Sequence, residues 1–179
     1  MKVLIYGDKH SNPDRTWVDC LPKDNTYTVY FIPSGNYLNF YDLLTHHIQE
    51  GIIEQYDHVV IQSANKPNLC FYTRQMVYHF YRVESKRNNF EFFVADNKQL
   101  VWSSNIFDTP VGDEIQARMG TNMILAQKQY LQRLVENNEI DALMKGSEIR
   151  LLNLLREKSI QYTLVKDIND ENINLRTTR

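Results

Sequence analysis

The sequence predicts an α/β protein: a Rossmann-like three-layer sandwich with a mostly parallel sheet and extra C-terminal helices. Short apolar runs that end in glycine, proline or polar residues alternate with longer segments whose apolar residues recur at helical spacing. The length of 179 residues suits one domain. We place this domain at residues 1–165, with a helical C-terminal part at about 113–158, and expect residues 166–179 to form a polar tail.

Five runs rich in apolar, aromatic and β-branched residues are typical of strands. They are Val3–Tyr6, Tyr27–Ile32, His58–Gln62, Phe90–Ala95 and Ile160–Val165. Polar residues follow three of them: Asp8 comes after the first, Asn65 after the third and Asp96 after the fourth. Because the carboxyl ends of parallel strands meet at one edge of a sheet, we expect these three side chains to converge on a common rim.

The segments between these runs have the apolar spacing of helices. The pattern predicts helices at residues 14–21, 40–48, 69–82, 122–138 and 147–158. We expect Asn39 to cap the second of these helices at its N-terminus, Gly51 to end it, and Ser147 to cap the last one.

Composition and charge exclude several classes of protein. Lys and Arg number 20 against 22 Asp and Glu, so the net charge of −2 argues against a protein that coats nucleic acid through bulk charge. The two cysteines, Cys20 and Cys70, do not make the disulfide framework of a secreted module. The N-terminus turns polar after Tyr6, too soon for a signal peptide or a membrane span. We therefore expect a cytoplasmic protein without membrane contact.

The common cofactor and metal motifs are absent from the sequence. Gly7 belongs to neither a dinucleotide fingerprint nor a phosphate-binding loop, and the histidines lack the spacing of metal ligands. We therefore predict no metal and no tightly bound cofactor. His47, on a predicted helix face, is interpreted as a partly buried structural residue.

The first predicted loop bears a weak resemblance to SGNH hydrolases. Gly7-Asp8-Lys9-His10-Ser11 is similar to their first block, in which a serine nucleophile follows Gly-Asp. Lys9 stands at the nucleophile position, however, and every histidine comes before residue 80. A degenerate hydrolase would have to use Ser11 and His10, because a hydroxyl needs a neighbouring base to act as a nucleophile.

A longer segment resembles a second family. Residues 56–69, with Lys66-Pro67-Asn68-Leu69 as the most specific piece, and Phe93-Val94-Ala95-Asp96 look like the N-terminal, acceptor half of the DNA β-glucosyltransferases of T-even phages. The resemblance covers roughly residues 56–100. It implies a GT-B fold and transfer of glucose from UDP-glucose to 5-hydroxymethylcytosine in phage DNA, hence a phage protein in the host cytoplasm.

The resemblance also implies a set of site residues. Asp96 falls where the family keeps its catalytic base, a role that suits a carboxylate because hexosyl transfer to a hydroxymethyl group needs a base close to the attacking oxygen. Asp8, Asn65, Lys66, Arg74 and Lys98 are the candidate binding residues. The GT-B domain that holds the UDP-sugar donor is not covered, so a partner or second copy is expected to supply it.

Two further patterns concern partners. Six basic against three acidic residues, interleaved with tyrosines, lie between Lys66 and Lys98 and favour DNA contact. Leu151, Leu152, Leu154 and Leu155 wrap around a predicted helix, which indicates contact with a partner subunit or a second copy. The basic segment is also compatible with a solvated helix, and the leucines are also compatible with the core of a single chain. The alternative function is a non-enzymatic phage protein that binds a nucleotide signal or a host defence factor.

Overall fold

The computed structural model describes the residues from which the sheet and its covering helices are built. These are residues 1–8, 17–32, 35–63, 70–71, 80–85, 87–95, 102–103, 133 and 136–165.

Eight strands and two α-helices make up this part of the chain. The strands are β1 (Lys2–Gly7), β2 (Thr26–Phe31), β3 (His58–Gln62), β4 (Cys70–Phe71), β5 (Phe80–Val83), β6 (Phe90–Ala95), β7 (Trp102–Ser103) and β8 (Tyr162–Val165). The helices are α1 (Tyr37–Gln49) and α2 (Ile140–Glu157), and short 3-10 helices span Trp17–Cys20 and Ile53–Gln55. All five predicted strands are confirmed, with ends that differ by two residues at most.

The main sheet has six strands in the order β5-β6-β2-β1-β3-β8. Every neighbouring pair is parallel except β5 with β6, which is antiparallel. β4 and β7 form a separate antiparallel pair. The prediction of an α/β protein with a mostly parallel sheet is therefore confirmed.

The order of the strands explains which face each helix covers. The connection from β2 through α1 to β3 crosses β1, and α2 leads into β8 at the same side of the sheet. The connection from β1 to β2 runs the opposite way. Because crossovers between parallel strands are right-handed, α1 and α2 share one face and the Trp17–Cys20 segment lies on the other.

Alternating side chains of the strands build a core on each face. Leu4 and Tyr6 of β1 pack on the helical face, in a cluster with Phe40, Leu44 and Leu151 from the two helices. Val3 and Ile5 point the other way. They join a second cluster with Trp17, Val18, Leu21, Val29, Val60 and Phe92.

The N-terminus of α1 differs from the sequence prediction by three residues. The N-cap is Asn36, whose side chain accepts a hydrogen bond from the backbone N–H of Asn39 at 3.2 Å. The Asn39 side chain accepts from the backbone N–H of Asn36 at 3.0 Å. The prediction of Asn39 as the N-cap is therefore wrong. Asn39 lies in the first turn and completes a reciprocal capping box with Asn36, and an asparagine suits either position of that box.

The C-terminus of α1 is where the sequence predicts it. Gly51 has φ +71°, its N–H donates to Ile48 O, and the N–H of Ile52 donates to His47 O. These two bonds form a Schellman motif, which requires a left-handed residue after the cap and so favours glycine.

α2 starts seven residues before the predicted helix at 147–158. Ser147 is buried inside it and its hydroxyl donates to Leu143 O at 2.8 Å, so Ser147 is not a cap as predicted. A serine that bonds back to the preceding turn is compatible with a helix interior. Leu151 and Leu155 are buried, and Leu152 and Leu154 pack partly buried against the same cluster, so the leucines contact the chain's own core.

The predicted helix at 69–82 is wrong in its described residues. Cys70–Phe71 belongs to β4 and Phe80–Val83 forms β5, the edge strand beside β6. The side chains of β5 alternate between the two faces of the sheet, as in a strand. Phe80 packs with the helical-face cluster and Val83 with the other cluster. Of the predicted helix at 14–21, the described part contains a single 3-10 turn, Trp17–Cys20. Most of the helix predicted at 122–138 lies outside the described residues.

Two glycine-to-alanine substitutions test the backbone account, because a Cβ meets nothing within 4 Å at either position. Gly51→Ala should lower the free energy of unfolding by about 1 kcal/mol, since it forces an L side chain into the left-handed region. Gly146→Ala, inside α2, should raise it by about 1 kcal/mol through helix propensity. Urea unfolding of both variants measures the difference; changes of the same sign would contradict the assignment of these positions.

Candidate functional site at the carboxyl edge

Five parallel strands end level with one another. Val94, Phe31, Gly7, Gln62 and Val165 form one continuous row of paired residues across β6, β2, β1, β3 and β8. The next residue along each described chain segment therefore stands at the same height. We call this line, with Asp8, Ile32, Ser63 and Ala95, the carboxyl rim.

The connections that leave β1 and β2 lie on opposite faces of the sheet. The chain that follows β2 enters α1 on one face, whereas the chain that follows β1 reappears at Trp17 on the other face. Such divergence of neighbouring connections is the usual place for a binding site in an open α/β sheet. Asp8 follows β1 at this rim, and the N-terminus of α1 follows β2.

The position of Asp8 is fixed from the neighbouring strand. Its backbone N–H donates to Gln62 Oε1 at 3.1 Å, and Gln62 is fully buried at the end of β3. The side chain of Asp8 is only 4% exposed. The first predicted site residue is thus held in a defined place on the rim.

The charges of two carboxylates act on Tyr37, the first residue of α1. Burial raises the pKa of its phenol well above the usual 10, and the negative charges of Glu148 and Asp8 raise it further, in that order. The phenol therefore remains a hydrogen-bond donor at neutral pH. We call Asp8, directly after β1, with Tyr37 of α1 and Glu148 of α2, the acidic cluster.

The remaining predicted site residues lie outside the described residues. Ser63 and Ala95, the described chain neighbours closest to Asn65 and Asp96, both stand on the carboxyl rim. The residues concerned are Asn65, Lys66, Arg74, Asp96 and Lys98. Their convergence stays a prediction, while Asp8 has the predicted location.

Part of the basic segment is paired with carboxylates. Arg82 Nε lies 3.2 Å from Glu91 Oε1, and Arg87 Nε lies 2.6 Å from Asp19 Oδ1. The Arg87 pair also has a second bond from its guanidinium to Asp19. These contacts reduce the positive charge that the described part of the segment offers to phosphate.

Tyr37 and Glu148 were missed by sequence reasoning. The Asn36-x-x-Asn39 pattern after Pro33–Gly35 is a signal for a helix start that would have placed Tyr37 at the rim. Glu148 gives no local signal, because it reaches Tyr37 only through the packing of α2 on α1.

His47 and His58 are buried in the core and lie away from the rim. His47, 3% exposed, shares a 2.6 Å hydrogen bond between its Nδ1 and the Tyr6 hydroxyl, as the structural interpretation predicts. His58, the first residue of β3, has its Nε2 2.8 Å from Thr163 Oγ1. Burial, and to a lesser degree the neighbouring His46, lower the pKa of His47 to about 4.

Comparison with protein-family models, curated proteins and solved structures gives no match for this chain. Within the described ranges, the His, Cys, Asp and Glu side chains form no group of three that could hold a metal ion. Neither described α-helix combines the length and the apolar character needed to cross a membrane.

The buried His47 predicts loss of stability in acid. Its pKa is about 4 in the folded protein and 6.5 when exposed, so the unfolded chain binds more protons between these values. The contribution of neutral His47 to the free energy of unfolding is complete above pH 6.5 and falls as the pH drops. At pH 4 the free energy of unfolding is lower by about 3 kcal/mol. Urea unfolding across this range measures it.

His47→Gln should remove most of this pH dependence, whatever its stability at pH 7. His46→Gln, which changes the neighbouring and more exposed imidazole, should keep it. Equal acid-induced losses in the wild type and His47→Gln would show that the buried imidazole is not the titrating group.

Proposed function

We propose that the chain is a glycosyltransferase-like protein of phage type that binds modified DNA at the carboxyl rim and supports hexosyl transfer to it. In this proposal Asp96 is the general base and Asp8 helps to position the acceptor hydroxyl. Asn65 orients the acceptor, and Lys66, Arg74 and Lys98 contact DNA phosphates. The complete molecule would be a three-layer, Rossmann-like sandwich with further C-terminal helices.

The level row of strand ends is the observation that carries this proposal. Asp8 follows β1 directly and Asp96 is bonded to Ala95 at the end of β6, with β2 between the two strands. Two strand spacings amount to roughly 10 Å, a separation over which two acidic side chains can reach one acceptor. This supports a shared site for a base and a positioning carboxylate.

The acidic cluster supports hydroxyl recognition. A neutral phenol donates one hydrogen bond and carboxylates accept them, so Tyr37 and Asp8 together can hold an alcohol that both donates and accepts. Transfer of a hexose requires removal of the proton from that alcohol as its oxygen attacks the sugar. The described residues at the rim would position the acceptor alcohol, and Asp96 would act as the base.

The UDP-sugar would come to the rim from a partner subunit or a second copy of this chain. The proposal therefore includes assembly, through the C-terminal helices, with a subunit that holds the donor. Ile149, half exposed on α2, is a candidate contact residue, whereas the leucines of this helix pack against the chain's own core.

DNA binding tests the proposal without the donor. Fluorescence anisotropy with a duplex containing 5-hydroxymethylcytosine and with the same duplex containing cytosine should show tighter binding of the modified one. Asp8→Asn should reduce this preference by about tenfold, the cost of one charge-assisted hydrogen bond. Asp24→Asn, an exposed carboxylate near the amino end of β2, is the control and should leave it unchanged.

Transfer is measured with labelled UDP-glucose and the modified duplex. The chain alone should give no transfer. In the presence of the subunit that supplies the donor site, Asp96→Asn should abolish transfer while DNA binding and the unfolding temperature persist. Equal affinity for both duplexes, or undiminished transfer by Asp96→Asn, would contradict the proposal.

A second candidate is non-enzymatic binding of a nucleotide signal or a host defence factor. It would use the same rim and requires no removal of a proton. Thermal-shift measurements with nucleotides and UDP-glucose distinguish the two, since a ligand at 100 times its Kd stabilises by about 2.7 kcal/mol. The SGNH-like hydrolase stays a prediction, because Ser11 and His10 lie outside the described residues.

A further inference from the structure

A cleft of about 420 Å³ lies at the opposite, amino edge of the main sheet. Its walls include Lys2, Thr28, Tyr56, Arg82, Asn88 and Glu91. The volume is within the range of small-molecule sites in proteins.

The cleft exists because α1 leaves part of its sheet face uncovered. The helix ends at Gln49 and the chain turns through the short Ile53–Gln55 helix into β3, away from β2 and β6. On this face the paired residues Tyr30 and Phe93 stack their rings 5.2 Å apart, and Tyr30 packs against the core. The next paired residues toward the amino edge, Thr28 and Glu91, are polar.

Two side chains of opposite charge lie next to each other in the cleft. The 3.2 Å ion pair of Arg82 and Glu91 is open to solvent, with 72% and 43% of the side chains exposed. A phosphate bound to Arg82 would also meet the Glu91 carboxylate, which opposes it. A hydroxyl donates and accepts at the same time, so two adjacent hydroxyls can bond the guanidinium and the carboxylate together.

The other walls suit the same chemistry. Thr28 offers a hydroxyl, Asn88 and Gln55 offer amides that both donate and accept, and Tyr56 adds a partly buried aromatic ring. Aromatic rings beside polar groups can cover the apolar C–H face of a ligand whose edge carries hydroxyls. Lys2 adds a second cation to the cleft, beside Arg82.

We infer that this cleft binds a neutral, hydroxyl-rich ligand of one or two sugar rings. It lies roughly 20 Å from the carboxyl rim, the length of the six-residue strand β1. The inference therefore stands independently of the proposed function, and a sugar bound here is remote from the acidic cluster.

Isothermal titration calorimetry of the full chain with methyl glycosides and common disaccharides tests the inference. Inorganic phosphate and adenosine monophosphate serve as anionic probes. At least one sugar should bind saturably, and the anions should not compete with it. Glu91→Gln should weaken sugar binding about 10- to 100-fold, because it removes a charged acceptor.

Two further variants make the result decisive. Thr28→Val keeps the shape of the cleft at this position and removes the threonine hydroxyl, so it should also weaken sugar binding. Glu54→Gln changes an exposed carboxylate next to the cleft that does not line it, and should have no effect. The unfolding temperature of each variant reports its folding.

Three results would overturn the inference. The first is that no sugar of the panel binds. The second is that Glu91→Gln and Thr28→Val, both folded, bind the sugar as tightly as the wild type. The third is that phosphate or adenosine monophosphate binds in place of sugar and does so more tightly in Glu91→Gln, which would assign the cleft to anions.

Discussion

The register of the parallel strands is the constraint on which the rest of the structure depends. Gly7 pairs with both Phe31 and Gln62, and that row continues to Val94 and Val165. A slip of one residue would turn every side chain of a strand to the other face. Leu4 and Tyr6 on the helical face, with Val3 and Ile5 on the other, fix this register through burial, and the register in turn makes the carboxyl rim level.

The same constraint gives the two edges of the sheet different chemistry. At the carboxyl edge, Gln62 holds the backbone of Asp8, and the acidic cluster is largely buried beside the start of α1. At the amino edge α1 has already ended, so Thr28 and Glu91 line an open cleft. One edge thus offers a few fixed acidic groups and the other an open polar surface, which is why we assign them different ligands.

The sequence predicts what depends on local pattern and fails where distant packing decides. The runs Val3–Tyr6 and Phe90–Ala95 are apolar enough to identify buried strands, and Gly51 marks a helix end because few other residues suit its φ. The segment Phe80–Val83 is predicted to be helical but forms an edge strand. Each face of this strand has one residue in a core cluster, and the spacing of its aromatic residues is also compatible with a helix. Asp8 could be placed from the order of strand and loop, whereas Glu148 could not, because only the contact of α2 with α1 brings it near Tyr37.

The most direct test of the central claim is hydrogen–deuterium exchange of the chain with and without the hydroxymethylcytosine duplex. Bound DNA should slow exchange in the segments that leave the rim after Gly7, Gln62 and Ala95 and at the start of α1, and leave the amino edge at Lys2 and Thr26 unchanged. Slowed exchange confined to the amino edge, or none at the rim under conditions in which the duplex binds, would contradict the placement of the site.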